Sequence, residues 1–290
     1  MPTKVEKDSV TGVETTGHEW DGIRELNNPL PKWWLYTFYA CIIFSVIWWV
    51  LYPSWPGRNG YLPGLLGSNQ RVELDQRMAA AQQAQAVWRD RIAAADVPAI
   101  LADPDLLQFA NAGGQAAFNT NCAPCHGLGG AGQGFFPTLA DDDWIWGGKP
   151  DQIEFTIRHG IRNAEDPDAR INEMPKFGAD GILTREQIDD VVAYLLSLGG
   201  QSVDQAKATA GQTVYAENCA ACHGDDAKGL PDLGAPNLTD SIWLYGGTAE
   251  QIAAQIWSPR QGVMPPWQGR LDDATIKMLT AYVHSLGGGQ

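Results

Sequence analysis

The spacing of apolar and polar positions divides the chain into a polar start, one long apolar run, an amphipathic stretch and a region that repeats itself. Residues 1–32 are polar, with four basic residues (Lys4, Lys7, Arg24, Lys32) against six Asp/Glu, and the start is expected to be mobile. Gly17 to Pro31 mixes Trp20, Ile23 and Leu26 with charges and reads as a docking segment. His18 and Glu19 within it are read as surface groups rather than metal ligands. Trp33 to Tyr52 carries no charged residue. A helix of about 20 apolar residues spans the roughly 30 Å of a bilayer's hydrocarbon core. Trp33-Trp34 and Trp48-Trp49 stand at the two ends of the run, as an interfacial aromatic belt does. A cleaved signal peptide would need a basic start, a shorter apolar core and a small-residue cleavage site. This start is net acidic and Pro53 follows the run, so a retained single span is expected.

After a Gly/Pro-rich turn region, Gly57 to Gly67, residues 68–95 are rich in Ala, Gln and Arg. With Val72, Met78, Val87, Trp88 and Ile92 they predict a partly amphipathic helix, Met78 being a packing residue. Asp96-Val97-Pro98 and Ala102-Asp103-Pro104 read as turns. From about residue 110 the pattern recurs. Trp146-Gly147-Gly148 matches Tyr245-Gly246-Gly247, Gln152-Ile153 matches Gln251-Ile252, and Tyr194-Leu195 through Gly200 matches Tyr282-Val283 through Gly288. The offset shrinks between the second and third matches, so the first copy carries an insertion near Glu165–Ile171. Each copy reads as three helices with no β-rich alternation. Middle helices start at Pro150-Asp151 and at Thr248, and last helices at Thr184 and Asp272-Asp273. The predicted organisation is a segment 1–32, a span 33–52, a linker with a helix 53–108, and two similar domains, 109–200 and 201–290.

Composition narrows the function. The formal net charge is −14, which argues against nucleic acid and anionic membrane surfaces and suits either a basic protein partner or plain solubility. Of five cysteines, four lie in two motifs, Cys122-Ala123-Pro124-Cys125-His126 and Cys219-Ala220-Ala221-Cys222-His223. Cys41, inside the apolar run, reads as inert. C-x-x-C-H is the attachment signature of a c-type haem: two thiols add to the vinyl groups and the adjacent imidazole reaches the iron. A structural zinc site would place its cysteine pairs roughly 15–20 residues apart, and a disulfide framework suits smaller secreted domains. Two covalently bound haem c groups are therefore expected.

Each copy also places a methionine before a proline between its middle and last helices, Met174-Pro175 and Met264-Pro265. Proline keeps the preceding residue extended, which suits a thioether laid over a haem face. The expected metal ligands are His126, Met174, His223 and Met264. Each methionine could serve its own copy's haem or the other's. Met278 reads as core. His159 and His284 have no counterpart in the other copy. Trp144 and Trp243 are expected to wall the haems, with their indole N–H groups at propionates or in plain core packing, and Arg158 is a candidate propionate partner. An iron that holds both His and Met has no open position. The chain then moves electrons, and no catalytic residue is expected.

The stretch from Gly17 to Trp34, one span, an arginine-bearing helical linker and tandem C-x-x-C-H domains resemble the dihaem subunit III of cbb3-type cytochrome c oxidases. The resemblance covers nearly the whole chain, and its N-terminal part is the most specific. It implies an all-α fold with one N-terminal transmembrane helix followed by two tandem class I cytochrome c domains. It also implies electrons accepted from a soluble or membrane-anchored cytochrome c and passed toward a monohaem cytochrome c subunit and a haem-copper catalytic subunit of a proton-pumping terminal oxidase. On its own the chain would lack an oxygen-reducing site. Flanking charge is silent on orientation, since Arg24 and Lys32 precede the span and Arg58 and Arg71 follow it. Thioether attachment outside the cytoplasmic membrane implies a bacterial inner-membrane protein, N-terminus inside, haem domains periplasmic. A free-standing membrane-tethered dihaem carrier and a dihaem peroxidase are the competing readings.

Overall fold

The computed structural model describes residues 4–287, so Gly288, which ends the last repeat match, lies outside the described residues. The chain forms two compact units, one running to Gln83 and the other starting at Ala84. In the first, β1 (Thr15–Trp20) pairs antiparallel with β2 (Ile23–Leu26). The two-residue turn between them is Asp21-Gly22, with φ of 49° and 82°. Asp-Gly is a strong signature of such hairpins because both central residues need positive φ. The all-helical expectation omitted this hairpin, although its signal stands in the sequence. The charges of this segment pair with one another: Arg24 bonds Glu19 at 2.8 Å and Glu6 at 2.6 Å. Trp20 and Ile23 stay exposed.

Helix α1 (Lys32–Leu51) covers the apolar run and buries none of its residues within the chain. It is long and apolar enough to cross a membrane. Its Thr37 and Ser45 hydroxyls are satisfied inside the helix, Thr37 donating to the Trp33 carbonyl and Ser45 to that of Cys41, as hydrocarbon requires. The following turn folds back: Leu65 and Leu66 N–H groups donate to the Val50 and Leu51 carbonyls, which would otherwise lack partners at the helix end. Within that turn β3 (Pro56–Gly57) and β4 (Gly60–Tyr61) form a minimal antiparallel pair.

Helix α2 (Gln70–Ala94) matches the amphipathic stretch. Only its C-terminal part packs, through Trp88 and Ile92, and Met78 is exposed rather than packed. The two predicted turns are helix starts. Asp96 caps α3 (Val97–Ala102) by accepting from Ala99 N–H, and Asp103 caps α4 (Pro104–Asn121) by accepting from Asp105 and Leu106. Proline in the first turn costs nothing there, because its missing N–H has no helical partner anyway.

The first copy continues with α5 (Ala123–His126), α6 (Pro150–His159) and α7 (Arg185–Leu198). The second holds α8 (Gln205–Asn218), α9 (Ala220–His223), α10 (Ala249–Trp257) and α11 (Asp273–Leu286). Thr184, Thr248 and Asp272 cap α7, α10 and α11 as the sequence predicts. Repeat and packing divide this region differently. Residues 183–195, at the end of the first copy, form one core with Val214 and Tyr215 of α8 and with Ile252 and Ile256 of α10. Helix α11 reciprocates: Ile276, Leu279, Tyr282 and Val283 pack on Phe118 of α4 and on Ile153 and Ile157 of α6. Each copy's last helix closes the other copy's core. The short connection from α7 to α8, residues 199–204, favours this, since helices joined so briefly pack as antiparallel neighbours.

Two glycines permit the crossings. A Cβ on Gly114 of α4 would lie 2.2 Å from the Met278 carbonyl oxygen, and one on Gly211 of α8 would lie 1.9 Å from that of Asp190. One turn on, Phe118 meets Tyr282 with ring centroids 5.4 Å apart, and Tyr215 meets Tyr194 at 5.3 Å. Gly114→Ala and Gly211→Ala should each cost about 2 kcal/mol through overpacking, read by chemical denaturation of the full-length chain. Gly113→Ala should cost less, because its closest neighbour is the flexible Met278 sulfur.

Candidate functional site

The two C-x-x-C-H motifs fold alike. Each opens where a copy's first helix ends, the N–H groups of Cys122 and Cys219 donating to the Phe118 and Tyr215 carbonyls at 2.8 Å. One helical turn follows: His126 N–H donates to the Cys122 carbonyl and His223 N–H to that of Cys219, both at 2.9 Å. Gly127 and Gly224, at φ of 75° and 80°, end that turn. Both thiols and the imidazole of each motif are thereby presented together.

The imidazoles are oriented from behind. His126 Nδ1 lies 3.1 Å from the Pro137 carbonyl oxygen and His223 Nδ1 lies 3.0 Å from that of Pro236. A carbonyl only accepts, so Nδ1 carries the proton and Nε2 keeps its lone pair for a metal. Burial holds both imidazoles below the usual histidine range, and the carbonyl bond opposes this. Burial, with the neighbouring cysteine adding, pushes the Cys122 and Cys219 thiols up to about 11. The imidazoles are therefore neutral nitrogen donors, the form in which a histidine can ligate a metal.

The methionine loops cross over. Met264 packs in the core that contains Cys122, Ala123 and Trp144, and Met174 packs in the core that contains Cys219 and Trp243. Met264 is pinned there by the backbone of the first copy, its N–H donating to the Ile161 carbonyl at 2.9 Å and its carbonyl accepting from Ile161 N–H at 3.0 Å. Met174 lines a cavity of about 530 Å³ with Cys219, Cys222, His223 and Trp243. Such a donor set fits a haem: two thiols in one turn, an imidazole with a free Nε2, and a thioether brought from another loop.

Comparisons with known proteins place the chain in a family. Residues 12–59 match the family model for the N-terminal domain of cytochrome oxidase-cbb3, FixP. Residues 112–199 match cytochrome c, and residues 206–283 match cytochrome c oxidase, cbb3-type, subunit III. The cbb3-type cytochrome c oxidase subunit CcoP of Azospirillum sp. (strain B510) is 55% identical, covering 98% of both chains. CcoP of Cereibacter sphaeroides is 48% identical, covering 100% of both. FixP of Rhizobium meliloti (strain 1021) is 50% identical over 98% of this chain and 97% of its own.

The chain belongs to the CcoP/FixP family of cbb3-type cytochrome c oxidase subunits.

Its cytochrome c domains imply haem c binding. Other candidates of this CcoP/FixP chain fall as follows. Trp144 packs in the core with Cys122 and Trp243 in that with Cys219, and Gly148 and Gly247 leave room for their rings. The Trp243 indole N–H donates to the Asp240 carbonyl at 3.1 Å. Arg158 is engaged by carboxylates of the chain itself, Glu154 at 2.6 Å and Asp273 of α11. His159 bonds Asp166 at 3.0 Å and packs tilted against Phe155, with ring centroids 4.6 Å apart. Met278 is core, as expected. The cations lining the cavity are others, Arg162 and Arg260. Arg162 donates to the Gly262 and Asn172 carbonyls, and Arg260 lies over the Phe135 ring. No motif marked them, because their place depends on both copies.

Asp143 also lines the cavity. Burial, then Asp240 and Asp141, pushes its carboxyl up to about 6. A folded-state value above the unfolded one means that the protonated form favours folding. That contribution is complete below the ordinary carboxylate range and is lost as pH rises through about 6. Asp143→Asn should therefore match the parent's thermal stability at about pH 4 and exceed it at about pH 7, measured by thermal unfolding at both.

Proposed function

We propose that this chain is the membrane-anchored dihaem electron relay of a cbb3-type oxidase. Its first haem is held by Cys122, Cys125 and His126 with Met264 completing the iron, and its second by Cys219, Cys222 and His223 with Met174. The observation that carries the ligand assignment is the crossing of the methionine loops, each packed with the attachment cysteines of the other copy. Bound haem supplies a one-electron iron couple, and His/Met ligation favours a high reduction potential. The chain's own part is to fix the imidazole tautomer, aim the thioether and exclude water from the iron. Saturated irons support transfer rather than bond chemistry and weigh against a peroxidase.

Membership of the CcoP/FixP family along the full length supports the role of a subunit rather than a free shuttle. The exposed faces of α1 suit lipid and neighbouring spans. We place the N-terminus in the cytoplasm and the haem-bearing unit in the periplasm, with a haem-copper catalytic subunit and a monohaem cytochrome c subunit as acceptors and a cytochrome c as donor. Isolation in mild detergent should bring down haem-copper subunits, with b-type haem in the reduced-minus-oxidised spectrum; recovery as a monomer alone would contradict the subunit role. Met174→His in the assembled complex should lower the potential of the haem on Cys219 and Cys222 and leave the other unchanged. A redox titration resolving the two haems tests the crossing: a fall at the haem on Cys122 and Cys125 would refute it.

A further inference from the structure

The two methionine loops are held in place by different chemistry, and the difference singles out Gln261. Met264 makes a two-bond backbone bridge to Ile161. The matching position of the second copy is Arg260, which follows Ile161 at the same interval as Gln251 follows Gln152. Arg260 is unable to form the equivalent bridge. Its N–H donates to Gln255 Oε1 at 3.1 Å and its carbonyl accepts from Gln255 Nε2 at 2.9 Å. The next side chain takes over. Gln261 Oε1 accepts from the Met174 N–H at 3.1 Å, and Gln261 Nε2 donates to the Met174 carbonyl at 3.3 Å. A primary amide offers one acceptor and donors side by side, so it can substitute for a strand residue facing Met174. Gln261 is half-buried and lines the same cavity as Met174 and His223.

We infer that Gln261 is a positioning residue, a side-chain clamp that sets Met174 for the second haem's iron in place of the backbone bridge used at the first. The inference rests on the reading of Met174 as that iron's ligand. A clamp made of one side chain is removable without touching the loop's sequence. The backbone bridge at Met264 has no such lever, so the two haems should respond differently to one substitution.

The test uses the full-length, haem-loaded chain with Gln261→Leu, Gln261→Glu and Met174→Ala. Three readouts are followed at each haem: the long-wavelength absorption band of thioether-bound ferric haem, the midpoint potential, and carbon monoxide uptake by the ferrous form. In Gln261→Leu both clamp bonds are lost. The second haem's band should weaken, its potential should fall, and its fraction open to carbon monoxide should rise on the order of tenfold, with the first haem unchanged. Gln261→Glu keeps an acceptor for the Met174 N–H and loses the donor, so its carbon monoxide uptake should be intermediate; it also serves as the reading if the leucine variant fails to fold. Unchanged band and uptake in either folded variant, with Met174→Ala abolishing the second haem's band, would overturn the clamp and leave the ligand assignment standing. A band that survives Met174→Ala would overturn the ligand assignment itself.

Discussion

The close approach of helix backbones at Gly114 and Gly211 is the contact on which the haem-bearing unit depends. At both places a first helix lies against the last helix of the other copy, and a single methyl group would meet a carbonyl oxygen at 2.2 or 1.9 Å. Interiors pack at crystal-like density and give way little, so these crossings set where α7 and α11 lie. The methionine loops precede those helices directly. Once α11 rests on α4 and α6, Met264 is delivered to Cys122; once α7 rests on α8 and α10, Met174 is delivered to Cys219.

Each site therefore has a local half and a borrowed half. The local half is assembled within about one turn of helix and a following loop: cysteines, histidine, and the carbonyl of Pro137 or Pro236 that fixes the imidazole proton. The borrowed half comes from the other copy and needs the whole unit folded. This couples the two sites mechanically, since loosening one last helix removes the thioether from the other copy's motif. Long-range coupling of this kind belongs to two motifs held in one compact body rather than on two separable beads.

Charge is arranged to match. The chain is strongly acidic overall, yet Arg162 and Arg260 line the cavity, Arg89 of α2 and Arg158 of α6 pair with Asp272 and Asp273 at the start of α11, and Lys277 of α11 donates to the Ala93 carbonyl of α2. Those ties anchor α11, and hence the Met264 loop, at its N-terminal end. Helix α1, long and apolar enough to cross a membrane, hides none of its residues inside the chain.

The sequence alone was enough for whatever is written in neighbouring residues. Cys-x-x-Cys-His, an uncharged run between tryptophan pairs, helix starts at Thr184, Thr248 and Asp272, and methionines ahead of prolines all act over one or two turns, so spacing reveals them. The Asp21-Gly22 hairpin was equally legible and lay in a segment read only as a docking segment. What tertiary structure decided is which methionine packs beside which attachment motif's cysteines, and which side chains close the cavity. Both depend on contacts between residues about a hundred positions apart, and identical local patterns in the two copies satisfy either pairing. Only the helix crossings, permitted by two glycines and favoured by the short connection from α7 to α8, break that tie.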